Sequence, residues 1–185
     1  MVVKSVGEGL DRVLDKAVTK KTPQSAGAQV RYLVKQMKGT KAVAELLGVS
    51  QRTVQRYMKG DIKKPRDARL AGQMGEEVRK RWQPKVKERA KRRAATAGLM
   101  IDVRASLGYV ADGDSTDQAR ERHITVALSA SSAEKIFAAQ GDTEDKMREA
   151  VAEALRVDYF QQGGTRAASL DEVRMLSVRN IEFGL

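Results

Sequence analysis

Residues 40–60, with the sequence TKAVAELLGVSQRTVQRYMKG, constrain the fold of this chain more than any other stretch. Apolar residues in the first part recur at helical spacing, and Thr40 can cap that helix. Gly48 follows where a helix commonly ends in a left-handed residue, and Ser50 can cap a second helix. The pattern predicts two short helices joined by a tight turn, which is the arrangement of a helix-turn-helix.

The second predicted helix has one apolar face and one polar face. Helical spacing turns Val54, Tyr57 and Met58 inward. The outward side chains are amides and cations of the kind that contact base edges and phosphates in the major groove of DNA. These outward residues are Gln51, Arg52, Gln55, Arg56 and Lys59. The pattern favours DNA binding, and the alternative is a pair of packed helices with a solvated basic face.

Charge is distributed unevenly along the chain, which has 185 residues and a net charge of +11. Residues 1–95 contain 25 Lys and Arg against 9 Asp and Glu, a net charge of +16, whereas residues 96–185 have a net charge of −5. A strong positive excess favours a polyanionic partner. We therefore predict that the N-terminal half binds nucleic acid and that the acidic C-terminal half has a different task.

Composition excludes several kinds of chemistry. The chain has no cysteine, so it has no disulfide, no cysteine-based zinc site and no thiol nucleophile. His123 is the only histidine, and nothing in the sequence fixes its geometry for a Ser-His-Asp arrangement. No apolar run approaches the roughly 20 residues that span a bilayer, and the N-terminus lacks the apolar core of a signal peptide. We expect a cytoplasmic, nucleoid-associated protein with no membrane partner.

A second basic stretch lies between Lys63 and Arg93, with 13 Lys and Arg against 4 Asp and Glu. Pro84 predicts a joint between two helices. The run from Lys85 to Arg93 barely alternates in sign, which favours phosphate contacts without sequence preference. The candidate DNA-binding cations of this stretch are Arg79, Lys80, Arg81, Lys85, Lys87, Arg89, Lys91, Arg92 and Arg93.

Trp82, the only tryptophan, lies among these cations. It is either a stacking platform for an unpaired base or a hydrophobic anchor for its helix. We favour the anchor, because a single aromatic residue usually serves packing.

The periodicity changes after Leu99. Residues 100–110, 123–128 and 172–183 alternate between apolar and polar, which predicts strands. Two helices are expected between the second and third strands, the first capped by Ser131 or Ser132 and the second over residues 143–160. The predicted fold is an all-α N-terminal half with a helix-turn-helix and basic helices, followed by a small antiparallel sheet with about two helices.

Three segments follow from these patterns. Residues 1–62 are predicted to form a helix-turn-helix domain that also contains helices over Val6–Val18 and Ala26–Met37. Residues 63–95 are predicted to form a basic helical linker. Residues 96–185 are predicted to form an α+β domain, which has the separate task expected of the acidic half.

A polar segment, ADGDSTDQ over residues 111–118, separates the first two predicted strands. By spacing alone it is a loop in which Ser115 or Thr116 caps a short helix that begins near Asp117. The segment lacks the glycine and the distal glutamate of a calcium loop, and Mg²⁺ usually needs phosphate ligands from a substrate. We therefore predict no metal site at its aspartates, which are Asp112, Asp114 and Asp117.

Four segments of the chain together suggest a family. They are SAGAQVRYLVKQMKGTKAVAELLGVSQRTVQRY, RWQPKV, STDQARERHITVAL and YFQQGGTRAASLDEV. Through them the chain resembles, nearly end to end, the Tpg family of terminal proteins that cap linear chromosomes and linear plasmids in actinobacteria. The resemblance implies covalent attachment to the 5′ end of telomeric DNA, where a threonine hydroxyl replaces the primer 3′-OH. The family's threonine falls on Thr116, followed by Asp117 and an Ala-Arg pair, and Ser115 is the alternative.

The same resemblance implies partners and a mode of action, and it makes residues 96–185 the domain for priming or partner binding. The DNA partner is the telomere, as a single-stranded overhang or a folded duplex, and the protein partners are a DNA polymerase and a telomere-associated recruiting protein. The chain itself binds no cofactor, since Mg²⁺ and the dNTP reach it through the polymerase. It is a protein primer rather than an enzyme with its own turnover. The alternatives are a non-covalent transcription regulator and a nucleoid-associated packaging protein.

Overall fold

The structure, a computed structural model, describes residues 3–111, 115–165 and 170–185, with side chains described outside residues 110–118. The described residues form eight α-helices and a three-stranded antiparallel sheet, so the protein is of mixed α and β class. The chain folds into two compact units, residues 18–84 and residues 1–17 together with 85–185. The predicted mixture of helices with a small antiparallel sheet is confirmed.

The unit of residues 18–84 is helical. Its helices are α2 (Ala26–Met37), α3 (Thr40–Leu47), α4 (Gln51–Lys59) and α5 (Ala68–Arg81). Apolar stripes at helical spacing meet in one core, in which Val30, Leu33 and Met74 are fully buried. The predicted helix Ala26–Met37 is confirmed to the residue, and Ser25 caps it by accepting a hydrogen bond from the Ala28 amide.

Of the three residues predicted to begin or end helices α3 and α4, Gly48 and Ser50 have the predicted role and Thr40 does not. Gly48 ends α3 in the left-handed region, with φ 63° and ψ 36°. Ser50 caps α4, because its Oγ accepts a hydrogen bond of 3.1 Å from the Thr53 amide. The cap predicted at Thr40 is wrong: α3 begins at Thr40 itself, and its N-cap is Gly39, which has no side chain to offer.

The second unit is built around the sheet. Strands β1 (Leu99–Ala111), β2 (Ser115–Leu128) and β3 (Leu170–Gly184) pair in the order β2-β1-β3. The helices of this unit are α1 (Val6–Lys16), α6 (Pro84–Ala97), α7 (Ala130–Ala138) and α8 (Glu144–Leu155), the last continuing into a π-helical turn over Arg156–Phe160. One sheet face, with Ile101, Val103 and Ile181, is buried against helical residues such as Leu10 and Leu155.

The polar loop predicted over residues 111–118 is largely strand. Ala111 ends β1, and β2 begins at Ser115, so only residues 112–114 separate the paired strands. The segment from Ser115 to Arg122 has almost no apolar residue, which hid its strand character. Pairing with the neighbouring strand imposes the extended conformation instead. The short helix considered near Asp117 is therefore wrong.

Two smaller differences concern the helices between the strands. Ser129, rather than Ser131 or Ser132, caps α7 by accepting a hydrogen bond of 3.2 Å from the Ser132 amide. The helix predicted over residues 143–160 is regular only to Leu155, and in the π-helical turn beyond it Tyr159 is 41% exposed.

The compact units also divide the chain differently from the three predicted segments. Helix α1 packs in the core of the sheet unit, where Val6, Leu10 and Val13 are buried. The backbone amide of Ile181 in β3 donates to the Val3 carbonyl at 2.9 Å. Helix α6 contributes Ala90 and Ala94 to the same core, so it is not a linker.

Replacement of Gly48 by Ala is expected to lower the free energy of unfolding by about 1 kcal/mol. The cause is purely conformational, since a Cβ there meets nothing within 4 Å but the residue must keep a positive φ. Gly72→Ala is the matched control, because Gly72 is an exposed residue inside α5 with equally open space. That variant should be more stable by about 0.5–1 kcal/mol. Urea unfolding measures the free energy of unfolding of both variants. Equal changes in the same direction would contradict the proposal that Gly48 is required for its positive φ.

Candidate nucleic-acid interface

Helix α4 presents the predicted polar face to solvent. Val54 and Tyr57 are buried in the helical core, and Met58 is half-buried beside them. All five predicted outward residues are exposed: Gln51, Arg52, Gln55, Arg56 and Lys59. A nine-residue helix with two amides and three cations on one side has the size and the donors that a major groove accommodates.

One of these five side chains is held by a contact that the sequence did not predict. Gln51 Nε2 donates a hydrogen bond of 2.7 Å to Thr40 Oγ1, so the first residue of α4 is tied to the first residue of α3. Thr40 is available for this contact because it is not an N-cap. The bond fixes one amide N–H of Gln51 and leaves its Oε1 and its second N–H for a ligand.

Neighbouring helices hold the C-terminal ends of α3 and α4. Arg31 of α2 donates a hydrogen bond of 2.9 Å to the Met58 carbonyl, and Gln73 of α5 donates one of 2.7 Å to the Leu46 carbonyl. Carbonyls at helix ends lack partners within the helix, so these side chains satisfy groups that would otherwise need water. Arg31 and Gln73 therefore act as supports of the exposed face, a role that no sequence pattern indicated.

The predicted cations at the end of α5 have different environments. Arg79 and Lys80 are exposed. Arg81 is half-buried and forms a close ion pair with Glu77, whose carboxylate also lies 3.2 Å from Lys80 Nζ. Arg81 is therefore committed to a structural contact rather than to a phosphate.

Trp82 serves as an anchor, as favoured from the sequence. Its indole Nε1 donates a hydrogen bond of 2.8 Å to the Lys20 carbonyl. Its ring meets the Tyr32 ring edge to face, with 4.8 Å between centroids. The Tyr32 hydroxyl in turn donates to the Arg81 carbonyl. These contacts fix the end of α5.

The basic run of α6 contains partly buried cations that contact neighbouring side chains and exposed cations, of which Arg92 also pairs with the exposed Glu88. Lys87 is largely buried, and its Nζ lies 2.6 Å from Asp15 Oδ1 in an ion pair. Lys91 is half-buried, with Nζ 5.9 Å from the centroid of the Phe137 ring. Lys87 and Lys91 therefore do not belong to an open phosphate-binding face, because each already contacts a neighbouring side chain. The exposed cations of α6 are Lys85, Arg89, Arg92 and Arg93.

Thr116 and Ser115 lie at the start of β2. The backbone of Thr116 is opposite Val110 and that of Ser115 opposite Ala111, and Ser115 directly follows residues 112–114 in the sequence. The side chains of Ser115, Thr116 and Asp117 lie outside the described residues, as do Asp112 and Asp114 altogether. The described backbone therefore places the predicted priming residue at one end of the three-stranded sheet, on the outer strand β2.

His123 has partners of its own farther along the sheet. Its Nε2 lies 3.1 Å from Asp102 Oδ2, and the Thr125 hydroxyl donates to the same carboxylate. The bond from Thr125 lowers the pKa of Asp102, and the bond from His123 adds to this against the effect of burial. His123 is seven residues along β2 from Thr116, roughly 23 Å at 3.3 Å per residue. His123 is therefore too distant to act as a base for Thr116.

Comparison with known proteins adds no relative. No protein-family model matches the chain, and no curated protein or solved structure shows significant similarity to it. Within the described residues, no group of three or more His, Asp and Glu side chains is arranged to hold a metal ion. None of the described helices is both long enough and apolar enough to cross a membrane.

Glu77→Gln is expected to lower the free energy of unfolding by about 1 kcal/mol at neutral pH. Burial of Glu77 opposes its ionisation, but hydrogen bonds from Arg81 and Lys80 outweigh this and lower its pKa. A carboxylate whose pKa is lowered by folding stabilises above its unfolded value of about 4.3, and that stability is lost as the pH falls through the folded value. Urea unfolding between pH 3 and 7 should therefore show the difference from wild type shrinking with acid.

The control for this variant is Glu76→Gln, which removes a neighbouring exposed carboxylate on the same helix. It should change the free energy of unfolding by less than about 0.5 kcal/mol. A Glu77→Gln difference that stayed constant across the pH range would show that the Arg81 contact does not stabilise the folded chain.

Proposed function

We propose that the protein is a telomere terminal protein, which binds the ends of a linear replicon and primes end-patching DNA synthesis from its own hydroxyl. In this proposal α3, the Gly48 turn and α4 act as a helix-turn-helix. The observation that carries the proposal is the exposed α4 face, with Val54 and Tyr57 buried, Met58 half-buried and every amide and cation outward. The priming activity follows from the resemblance in STDQARERHITVAL and the other three segments.

Helix α4 would enter the major groove with its N-terminal residues nearest the bases. Gln51, Arg52 and Gln55 are then the candidates for base edges, since amides and guanidinium groups pair with purine edges in two-point contacts. Arg56 and Lys59 lie farther along the helix and suit phosphates. The exposed α6 cations add affinity that falls as salt rises, without reading sequence.

Thr40→Val is expected to reduce discrimination at one base pair while leaving non-specific affinity unchanged. The variant removes the acceptor that holds the Gln51 amide at 2.7 Å, so that side chain loses its fixed orientation. A well-oriented two-point contact is worth about 1–3 kcal/mol of base discrimination. Selection from a randomised duplex library, followed by sequencing, measures the preference.

Thr40→Ser keeps the hydroxyl and should restore the preference. If Thr40→Val bound the same sequences as wild type, with the same preference at every position, the role of Thr40 in positioning Gln51 would be excluded. Failure of the wild-type protein to select any sequence would instead count against the helix-turn-helix.

The priming step needs one hydroxyl in the primer channel of a polymerase. The threonine oxygen attacks the α-phosphorus of a dNTP, the α–β phosphoanhydride bond breaks and pyrophosphate leaves. The hydroxyl proton passes to the polymerase site or to solvent, and the polymerase metals stabilise the charge that develops. This chain therefore has to present Thr116 and needs no base of its own beside it.

The place of Thr116 in the sheet supports this role. Its backbone lies in the outer strand β2, two residues after Asp114 in the sequence, at the end of the sheet opposite to the one that Leu99 and Leu128 anchor in the core. The neighbouring residues Asp112, Asp114 and Asp117 carry negative charge, as the DNA strand in a primer channel does.

Thr116→Ala is expected to abolish transfer of a nucleotide to the protein while leaving DNA binding unchanged. The test incubates purified protein with Mg²⁺, labelled dNTPs and an extract of an actinobacterium that has a linear replicon, and follows label on the protein band. Ser115→Ala is the matched control and should be labelled normally, and Thr116→Ser should retain labelling. Label that persisted on Thr116→Ala but disappeared on Ser115→Ala would move the site by one residue.

A non-covalent transcription regulator is the second candidate, because the same α4 face supports it. That function requires a defined operator and no modified hydroxyl. Labelling absent from the wild-type protein, together with selection of a palindromic duplex site, would favour the regulator over the terminal protein.

A further inference from the structure

A groove on the sheet unit has the chemistry of a nucleotide site. Helix α1, helix α6 and the end of β3 enclose a space of about 580 Å³. Its floor includes the buried side chains of Val13, Ala90 and Phe183. Its volume falls within the range of about 300–1,000 Å³ that is usual for small-ligand sites. A flat apolar group of moderate size therefore fits it.

The rim of the groove is cationic. Lys16, Arg89 and Arg93 line it and are exposed, and no acidic side chain lines it. Among the described residues, none of these three side chains forms an ion pair, whereas Lys87 and Arg92 of the same helix do. An apolar floor below three positively charged side chains matches a ligand with a flat apolar part and a negative charge beside it.

Helical spacing explains why both features occur together. Val86, Arg89, Ala90 and Arg93 follow each other at intervals of three, one and three residues, so they share one side of α6. The two apolar positions face the groove floor while the two arginines reach over its edge. One short segment of α6 thereby supplies both apolar contacts and positive charge to the groove.

We propose that this groove binds an unpaired nucleotide of a single DNA strand, with the base against the apolar floor and the flanking phosphates against Lys16, Arg89 and Arg93. The inference rests on the proposed function, in which a replicated linear end leaves a 3′ overhang. A duplex does not fit this description, because its bases are stacked and paired and cannot enter a groove singly. Single strands are held by this combination of a positive track and base contacts.

The test compares two double variants with the same change of charge on the same helix. Arg89→Glu with Arg93→Glu reverses the groove rim, whereas Lys85→Glu with Arg92→Glu reverses two exposed cations outside it. Fluorescence anisotropy measures the affinity for labelled oligo(dT) and for a labelled hairpin duplex. The rim variant should lower the single-strand affinity at least tenfold more than the duplex affinity, and the control variant should lower both by the same factor.

Val86→Trp tests the floor without a change of charge. Val86 lines the groove and is half-buried, so the larger ring fills the space rather than the core. This variant should lower the affinity for oligo(dT) at least about tenfold, the loss of one base contact, and leave the duplex affinity unchanged. Circular dichroism and thermal unfolding confirm that each variant is folded.

Three kinds of result would overturn the inference. One is a Val86→Trp variant with wild-type affinity for oligo(dT), or rim and control variants with the same ratio of affinities. Another is displacement of oligo(dT) by an oligoglutamate peptide of equal charge, which would show that charge alone is read. The third is binding of dTMP as tight as that of oligo(dT), which would make the groove a site for free nucleotides. Failure of the wild-type protein to bind either oligo(dT) or the duplex would count against the proposed function itself.

Discussion

The burial of Val54 and Tyr57 decides which side of α4 meets the solvent, and the candidate DNA-binding face depends on it. Both side chains are almost fully enclosed by the helical core. Burying an apolar side chain of this size stabilises the fold by about 1.5–3 kcal/mol, whereas an exposed cation contributes a few tenths. Rotation of α4 about its axis would expose these two side chains and lose the larger of the two stabilising contributions. The polar face is therefore fixed by the apolar one.

The same reasoning explains why the basic character of α6 is not uniform. Ala90 and Ala94 are drawn into the core of the sheet unit, and this orients every cation of the helix. Lys87 is thereby brought to Asp15, and Lys91 to the ring of Phe137. Four cations remain exposed, and two of them border the groove. Cations that are close in the sequence therefore differ in the structure, since some contact neighbouring side chains and others are exposed.

Much of the fold was predictable because local chemistry agreed with the final structure. Helix α2, the Gly48 turn and the Ser50 cap follow from propensity and spacing that act within a few residues. Strand β1 follows from the alternation of Ile101, Val103 and Ala105. Features that depend on distant partners were missed. The extension of β2 through Ser115 requires its pairing with β1, and the burial of α1 requires the sheet.

The candidate site was predictable to a similar extent. The outward residues of α4 could be named from helical spacing, since the inward positions are unambiguous. The hydrogen bond between Thr40 and Gln51 could not be predicted, because it joins the first residues of two helices and their relative position depends on tertiary packing. The groove beside α6 could not either, since it combines residues from both ends of the chain. The pairings of Arg81 and Lys87 with carboxylates needed the packed structure as well.

One measurement distinguishes a protein primer from a DNA-binding protein of another kind. Protein recovered from cells on its own DNA is digested with nuclease and then with trypsin, and mass spectrometry examines the peptide Ala105–Arg120. The proposed function predicts a nucleotide remnant on this peptide, with fragmentation that assigns it to Thr116, and the mass of the remnant identifies the first base. A bare peptide, from protein verified to come from replicon ends, would contradict covalent priming and leave non-covalent DNA binding through α4.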